Sequence, residues 1–218
     1  YATRTPLLSS DLLNKEFSSN IFIKAENLQK IGAFKFRGAM NSILKLDDDK
    51  KNVLAWSSGN HAQAIASACY LTNKNATIVM PEDSPNAKLN GTKSWGANVV
   101  TFDRYSESRE EIGTNLAKEI NAEIIPPFDH PDVINGQGTV GYEIINDCKK
   151  NNLIPDLVLC CCGGGGLIAG VSTAIKAEYP NIPVYAVEPE DYNDTFLSLK
   201  NNKITEVDVS KKSICDSL

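Results

Sequence analysis

A lysine between two aromatics, a serine-asparagine turn and a run of four glycines are the residues whose type and spacing could do chemistry. Gly32-Ala33-Phe34-Lys35-Phe36-Arg37-Gly38-Ala39 sets Lys35 among apolar neighbours just ahead of a helical pattern. An amine stripped of water loses its charge more readily and becomes a usable nucleophile. Ser57-Ser58-Gly59-Asn60 follows a short apolar stretch and precedes the Ala-rich run 61–71, which places it at a helix N-terminus. Cys162-Gly163-Gly164-Gly165-Gly166-Leu167 lies between an apolar strand and an amphipathic helix. Residues without a Cβ let N–H groups converge at a helix start, which suits a phosphate.

No Lys-Ser/Thr pair follows the glycines, so the nucleoside-triphosphate loop pattern fails. Gly164-x-Gly166-x-x-Ala169, with Glu188 at the end of the next strand, keeps a dinucleotide pattern and a nicotinamide cofactor open. An amine for an aldehyde, amides for a phosphate and a hydrogen-bonding group for a ring hydroxyl are together the parts needed to hold pyridoxal 5'-phosphate (PLP).

Alternating strands and helices must position these loops. Strands are expected over 20–24, 53–56, 76–80, 98–102, 157–162 and 184–187. Helices are expected over 36–45, 61–71, 85–95, 108–120 and 138–150, and from the glycine run to 179. The near-continuously apolar strands argue an α/β protein on mostly parallel sheet, in which ligands sit at the carboxyl ends of strands. The loops at 57–60, at 163–166 and after Val187 fall at such ends.

The 218 residues suffice for one large domain or two small ones. A net charge of −5, from 22 basic and 27 acidic residues, argues against a nucleic-acid partner. No apolar run is long enough to span a membrane as a helix. Six cysteines, three of them adjacent as Cys160-Cys161-Cys162, fit small apolar residues of a reduced cytoplasm better than a disulfide scaffold or a zinc site. The chain opens at Tyr1 rather than Met and closes at Leu218, so a fragment is expected.

Five segments in register carry a resemblance over nearly the whole chain: Lys24-x-Glu26-Asn27-x-Gln29, 32–39 (GAFKFRGA), 57–63 (SSGNHAQ), 136–139 (GQGT) and 163–167 (GGGGL). Together they resemble the fold-type II PLP enzymes of the serine/threonine dehydratase family, in the branch of serine racemase and 3-hydroxyaspartate dehydratase. The resemblance implies a tryptophan-synthase-β-like fold of two three-layer α/β domains. The small one would cover 52–129, and the large one 1–51 plus 130–218 without its C-terminal part. By the same resemblance Lys35 would bind the PLP aldehyde and take the Cα proton, with Phe34 flanking the ring. Asn60 would meet the ring hydroxyl, and Gly163, Gly164, Gly165, Gly166 and Leu167 the phosphate. Ser57, Ser58, Gly59, Asn60 and His61 would grip the carboxylate of a small amino-acid substrate. His61 reads first as a helix-start residue packed against the loop.

The implied reaction is a dehydration that converts serine, threonine or 3-hydroxyaspartate to a 2-oxo acid and ammonia. Ser58 matches the racemase serine on the opposite face of Cα, so serine racemisation is the alternative. Phe128, where dehydratases carry an aromatic, favours elimination. Glu188, the Tyr192 carbonyl and Asp194 resemble the branch's divalent-cation loop, which implies Mg²⁺, with Ca²⁺ or Mn²⁺ as substitutes. A homodimer is implied for the full-length protein. Two departures stand against this: Ala33 replaces a common serine, and the expected contact to the pyridine nitrogen lies beyond these residues. A nicotinamide-binding Rossmann protein and a non-catalytic fragment are the readings of another class.

Overall fold

The computed structural model describes residues 1–208 and 213–215. An N-terminal unit comes first: β1 (Leu7–Ser9), α1 (Asp11–Glu16) and β2 (Phe22–Lys24), with β1 and β2 paired antiparallel. Two short 3-10 turns, Glu26–Leu28 and Lys30–Gly32, lead into α2 (Lys35–Leu44). Then β3 (Asn52–Trp56), α3 (Asn60–Leu71), β4 (Asn75–Pro81), α4 (Asn86–Ser94), β5 (Asn98–Phe102), α5 (Arg109–Glu119) and β6 (Ala122–Ile124) alternate. They build one four-stranded parallel sheet, in the order β5-β4-β3-β6. The chain continues through α6 (Pro131–Lys150), β7 (Val158–Cys161), α7 (Gly166–Glu178), β8 (Val184–Val187) and α8 (Asp194–Asn201), with β7 and β8 parallel.

The expected α/β class with parallel sheet is what forms. The alanines of α3 explain how its core closes. Ala62, Ala64, Ile65, Ala66, Ala68 and Cys69 are all buried, so α3 is apolar on nearly every side. Small side chains let it lie between the sheet and α2, against Phe36, Met40, Ile43, Val53 and Ile78. Fully burying a residue the size of Phe36 or Ile65 contributes about 2 kcal/mol. A separate core between α6, α7 and β7 gathers Val140, Ile145, Cys160, Val171 and Ile175. Of the cysteines, Cys69, Cys148, Cys160 and Cys162 are buried as expected, whereas Cys161 and Cys215 are exposed.

The largest departure from the expected elements is α6. Its glycines predict a helix starting near 138, yet it starts at Pro131, with the His130 imidazole accepting from the Asp132 amide at 3.2 Å. The glycines do not end the helix; they let it touch its neighbours. A Cβ on Gly136 would lie 2.5 Å from the Arg37 carbonyl oxygen and 2.6 Å from Gly38 Cα, and one on Gly141 2.9 Å from the Val171 carbonyl. Gly136→Ala must therefore push backbone against backbone. We expect a loss of about 2–3 kcal/mol in urea unfolding, the cost of overpacking a site that cannot relax. The short elements β1, α1 and α8 were not expected from periodicity, because three to eight residues carry too little of it.

Arg37 ties these pieces together. Its guanidinium is buried and meets Glu26 at 2.7 and 2.8 Å and Glu143 at 2.7 and 3.0 Å. Lys24 joins at 2.8 Å from Glu143 and 3.3 Å from Asp147, and Arg4 reaches Asp147 at 2.5 Å. Burial opposes the charge on Glu143, but hydrogen bonds from Arg37 and Lys24 outweigh it and hold that carboxyl below its ordinary range.

Candidate active site

In an open parallel sheet, the crevice forms where successive connections leave on opposite sides. Here β3 is that point. The chain runs from it outward through β4 to β5, then returns to add β6 on its other edge. Leu54 pairs with Ile124, and its carbonyl accepts from the Ile125 amide at 3.0 Å. The loop after β3 (57–59) and the strap after β6 (125–128) therefore leave the sheet side by side.

Lys35 enters this crevice from the first turn of α2. Ile31 and Gly32 both adopt left-handed backbone (φ 60 and 72), which reverses the chain just ahead of it. For β-branched Ile31 that conformation is strained, and Gly32 adopts it freely. The Lys35 ammonium donates to the Pro127 carbonyl at 2.7 Å and lies 5.3 Å from the centre of the Phe34 ring. Burial lowers its pKa to about 8. At neutral pH about one molecule in ten then carries the free amine, against well under one in a thousand for an exposed lysine.

His61 lies buried beneath the serine loop, its Nε2 2.9 Å from the Ile125 carbonyl. Burial, aided by the nearby charge of Lys35 and opposed by that hydrogen bond, pushes its pKa down to about 4. The ring is a neutral brace at physiological pH, in keeping with the packed helix-start role expected of it. Its folded pKa lies below the unfolded 6.5, so the unfolded chain binds the extra proton between those values. Stability should be flat above pH 6.5 and fall between about 6.5 and 4, by up to roughly 3 kcal/mol. Urea midpoints across that window should lose this dependence in His61→Gln.

The serine loop folds on itself. The Ser57 amide donates to the Val79 carbonyl at 3.2 Å, and Ser57 Oγ accepts from the Gly59 amide at 3.1 Å. Ser57 and Ser58 line a cavity of about 270 Å³ at the carboxyl ends of β3, β4 and β5. Gly59 caps α3, and Asn60, its first residue, is exposed. Across the crevice, Gly165 takes left-handed backbone (φ 80) and opens α7, while Leu167 packs into the second core.

The glycine run serves more than one purpose. A Cβ on Gly164 would collide with the Phe128 ring, and one on Gly166 would lie 2.9 Å from the Phe128 carbonyl oxygen. At Gly165 it would meet open space. Two of the glycines are thus required by the strap, a reason the phosphate reading alone does not supply. Side-chain type does not mark Ile125 and Pro127, because they contribute backbone carbonyls; the stiff Pro126-Pro127 pair is the only signal in the sequence.

Some helix starts are closed by their own capping side chains, and others, α4 and α8 among them, are not. Ser10, Ser108 and His130 cap α1, α5 and α6 with their side chains. At α2, α3 and α7 the capping residues are Phe34, Gly59 and Gly165, and none supplies a side-chain hydrogen bond. First-turn amides left without a cap favour an anion. Of these three, the start of α7 with its open left-handed glycine suits a phosphate, the start of α3 suits a carboxylate, and the desolvated amine that opens α2 suits an aldehyde.

Glu188, Tyr192 and Asp194 stand apart from this group. Both Glu188 oxygens accept from the first turn of α8, from the Thr195 amide at 3.0 Å and the Phe196 amide at 2.9 Å. Tyr192 is buried, and Asp194 opens α8. Among the described residues, no group of three or more His, Cys, Asp or Glu side chains could hold a metal ion. The same cap occupies the carboxylate that the nicotinamide alternative needs for a ribose.

The sequence profile of the pyridoxal-phosphate dependent enzymes matches residues 1–218. The chain belongs to this family. Within it, the chain is 45% identical over 213 residues to an L-threo-3-hydroxyaspartate ammonia-lyase of Saccharomyces cerevisiae, covering 97% of this chain and 64% of that protein. It is 43% identical to a serine racemase of Schizosaccharomyces pombe, over 97% of this chain and 65% of that one. Its fold matches a threonine deaminase of T.th. (TM-score 0.92, 42% identity, 99% of this chain and 69% of that chain). It also matches maize serine racemase (TM-score 0.93, 38% identity, 99% and 65%). The expected fold-type II architecture is therefore the observed one, and the chain spans a little under two thirds of the curated relatives it matches.

Proposed function

We propose that this PLP-family protein is a dehydratase (ammonia-lyase) that converts a small β-hydroxy amino acid to a 2-oxo acid and ammonia. The observation that carries the proposal is Lys35, whose amine is buried and seated on the Pro127 carbonyl. The strap that seats it also touches α3 and the glycine loop. Bound PLP supplies an electron sink for the pair left behind when the Cα proton departs. Lys35 would hold the cofactor aldehyde and supply the amine that takes the Cα proton at Nζ. Its lowered pKa matches this duty near neutral pH. Ser57, Ser58, Gly59 and the α3 amides would hold the substrate carboxylate, and Asn60 would supply the hydrogen bond to the ring hydroxyl. Gly163 to Leu167 would hold the phosphate on the uncapped start of α7. Phe34 lies beside the amine and shields it on one side. Loss of the β-hydroxyl as water, followed by addition of water and release of ammonia, balances the reaction.

Ammonia release from serine, threonine and L-threo-3-hydroxyaspartate, with and without Mg²⁺, tests the proposal. Failure with all three, and no visible band on adding PLP, would overturn it. Serine racemisation is the second reading and rests on the hydroxyl of Ser58 in the serine loop; the cavity that Ser58 lines is bounded by Val79, Phe102 and Arg104 and not by Lys35. A cation held by Glu188, the Tyr192 carbonyl and Asp194 rests on their oxygen-donor character, and no step above passes through it. The small unit over 52–129, the large unit of 1–51 and 130–218, a homodimer and a cytoplasmic setting belong to the same proposal. The closure of the four-stranded sheet within 52–124 supports the division.

A further inference from the structure

The strap 125–128 makes three successive contacts with three different parts of the site. The Ile125 carbonyl meets His61 Nε2 at 2.9 Å, and the Pro127 carbonyl accepts from Lys35 Nζ at 2.7 Å. Phe128 closes on the glycine loop, its ring against Gly164 and its backbone against Gly166. Pro126 and Pro127 fix φ along the strap, so displacement at one end is passed on rather than absorbed by an intervening turn. Ile125, buried in the first core, holds one end of the strap, and Phe128 holds the other. We infer that Phe128 is a positioning residue: wedged over Gly164 and Gly166, it seats the Pro127 carbonyl on Lys35 and so sets how the amine is covered and held. Phe128 would act on Lys35 only through the strap.

The wedge explains two features that a phosphate cradle leaves open. It gives Gly164 a reason to lack a Cβ even where no ligand group is near. It also makes the glycine loop and the lysine, which lie far apart in sequence, move as one. When the wedge is lost, the strap lifts and Nζ loses both its acceptor and its cover. Losing the acceptor alone would disfavour the ammonium, but burial is the dominant influence on this lysine. The net effect is a return toward the ordinary lysine range.

The inference rests on Lys35 being the working amine, yet its test needs neither cofactor nor turnover, so failed catalysis and a failed wedge are separate results. Cofactor-free protein is labelled with trinitrobenzenesulfonate from about pH 6.5 to about 10.5, a span that brackets the buried and the ordinary lysine, and Lys35 modification is followed by peptide mass spectrometry. Phe128→Ala should move the midpoint of the rate–pH profile upward by about one unit, which leaves about five-fold less free amine at pH 8. Phe128→Tyr should restore the wild-type midpoint. Gly164→Ala, whose methyl must displace the ring, should shift Lys35 in the same direction. A purely structural role for Phe128 would lower the melting temperature and leave the midpoint alone. An unmoved midpoint in both Phe128→Ala and Gly164→Ala overturns the inference; should Phe128→Ala not fold, Gly164→Ala alone decides it.

Discussion

Lys35→Met is expected to abolish the visible band that appears when PLP is added and to lower ammonia release by at least about 10³-fold, while making the fold more stable. The first two losses follow from the role proposed for Lys35, as the amine for the aldehyde and the carrier of the proton. The gain follows from burial, which lowers the lysine from an ordinary 10.5 to about 8. Below pH 8 the lysine is protonated in both states, and the folded state bears the full desolvation penalty, roughly 3 kcal/mol. As pH rises from 8 to 10.5 only the unfolded chain keeps the proton, so the penalty shrinks, and above 10.5 it is gone. Leaving the Pro127 carbonyl without a donor returns about 1 kcal/mol. The net expectation at pH 7 is a stabilisation of about 1–2 kcal/mol, read as a higher urea midpoint that converges with wild type at high pH. A lower midpoint at pH 7 would show that the buried amine is part of the fold's support rather than a cost borne for chemistry.

Arg37→Ala should be the most damaging substitution to stability. It leaves the half-buried Glu26 without its cation and Glu143 with Lys24 alone, and breaking a buried pair by removing one partner costs about 3–5 kcal/mol. For a chain of this length that lowers the melting temperature by on the order of 10 °C. Arg37→Met, which keeps the volume, should recover little, because the two carboxylates remain. Adding Glu26→Gln and Glu143→Gln to Arg37→Met should recover most of the loss, since the uncompensated charge is then gone. A triple variant no better than Arg37→Met would assign the effect to packing. Arg37 lies two residues beyond Lys35 on α2, so the network that anchors it also fixes where the lysine's helix begins.

Much of this was legible in the residues themselves. The strand at 98–102 and that at 184–187 lie where their apolar runs put them, and α3 begins one residue before the alanine run. Such signals are local: a buried parallel strand must be apolar along its length, and a helix beneath it must repeat every three to four residues. The start of α6 was not legible. Gly136, Gly138 and Gly141 look like breakers until Arg37, Gly170 and Val171 are placed against them. Glu188 is a second case. Its type suits a cation or a ribose, but the backbone behind it directs both oxygens to the amides of α8.

The chemistry of the site divides in the same way. Residue types and order along the chain were enough to name a lysine, a serine-asparagine turn and a glycine run, and with them a PLP-like set of parts. What lowers the Lys35 pKa is the burial around it, what seats its ammonium is a carbonyl 92 residues away, and what requires Gly164 is the ring of Phe128. Desolvation and backbone contact depend on which distant segments share a crevice. That follows from the way β6 returns to the free edge of β3, which no local pattern encodes.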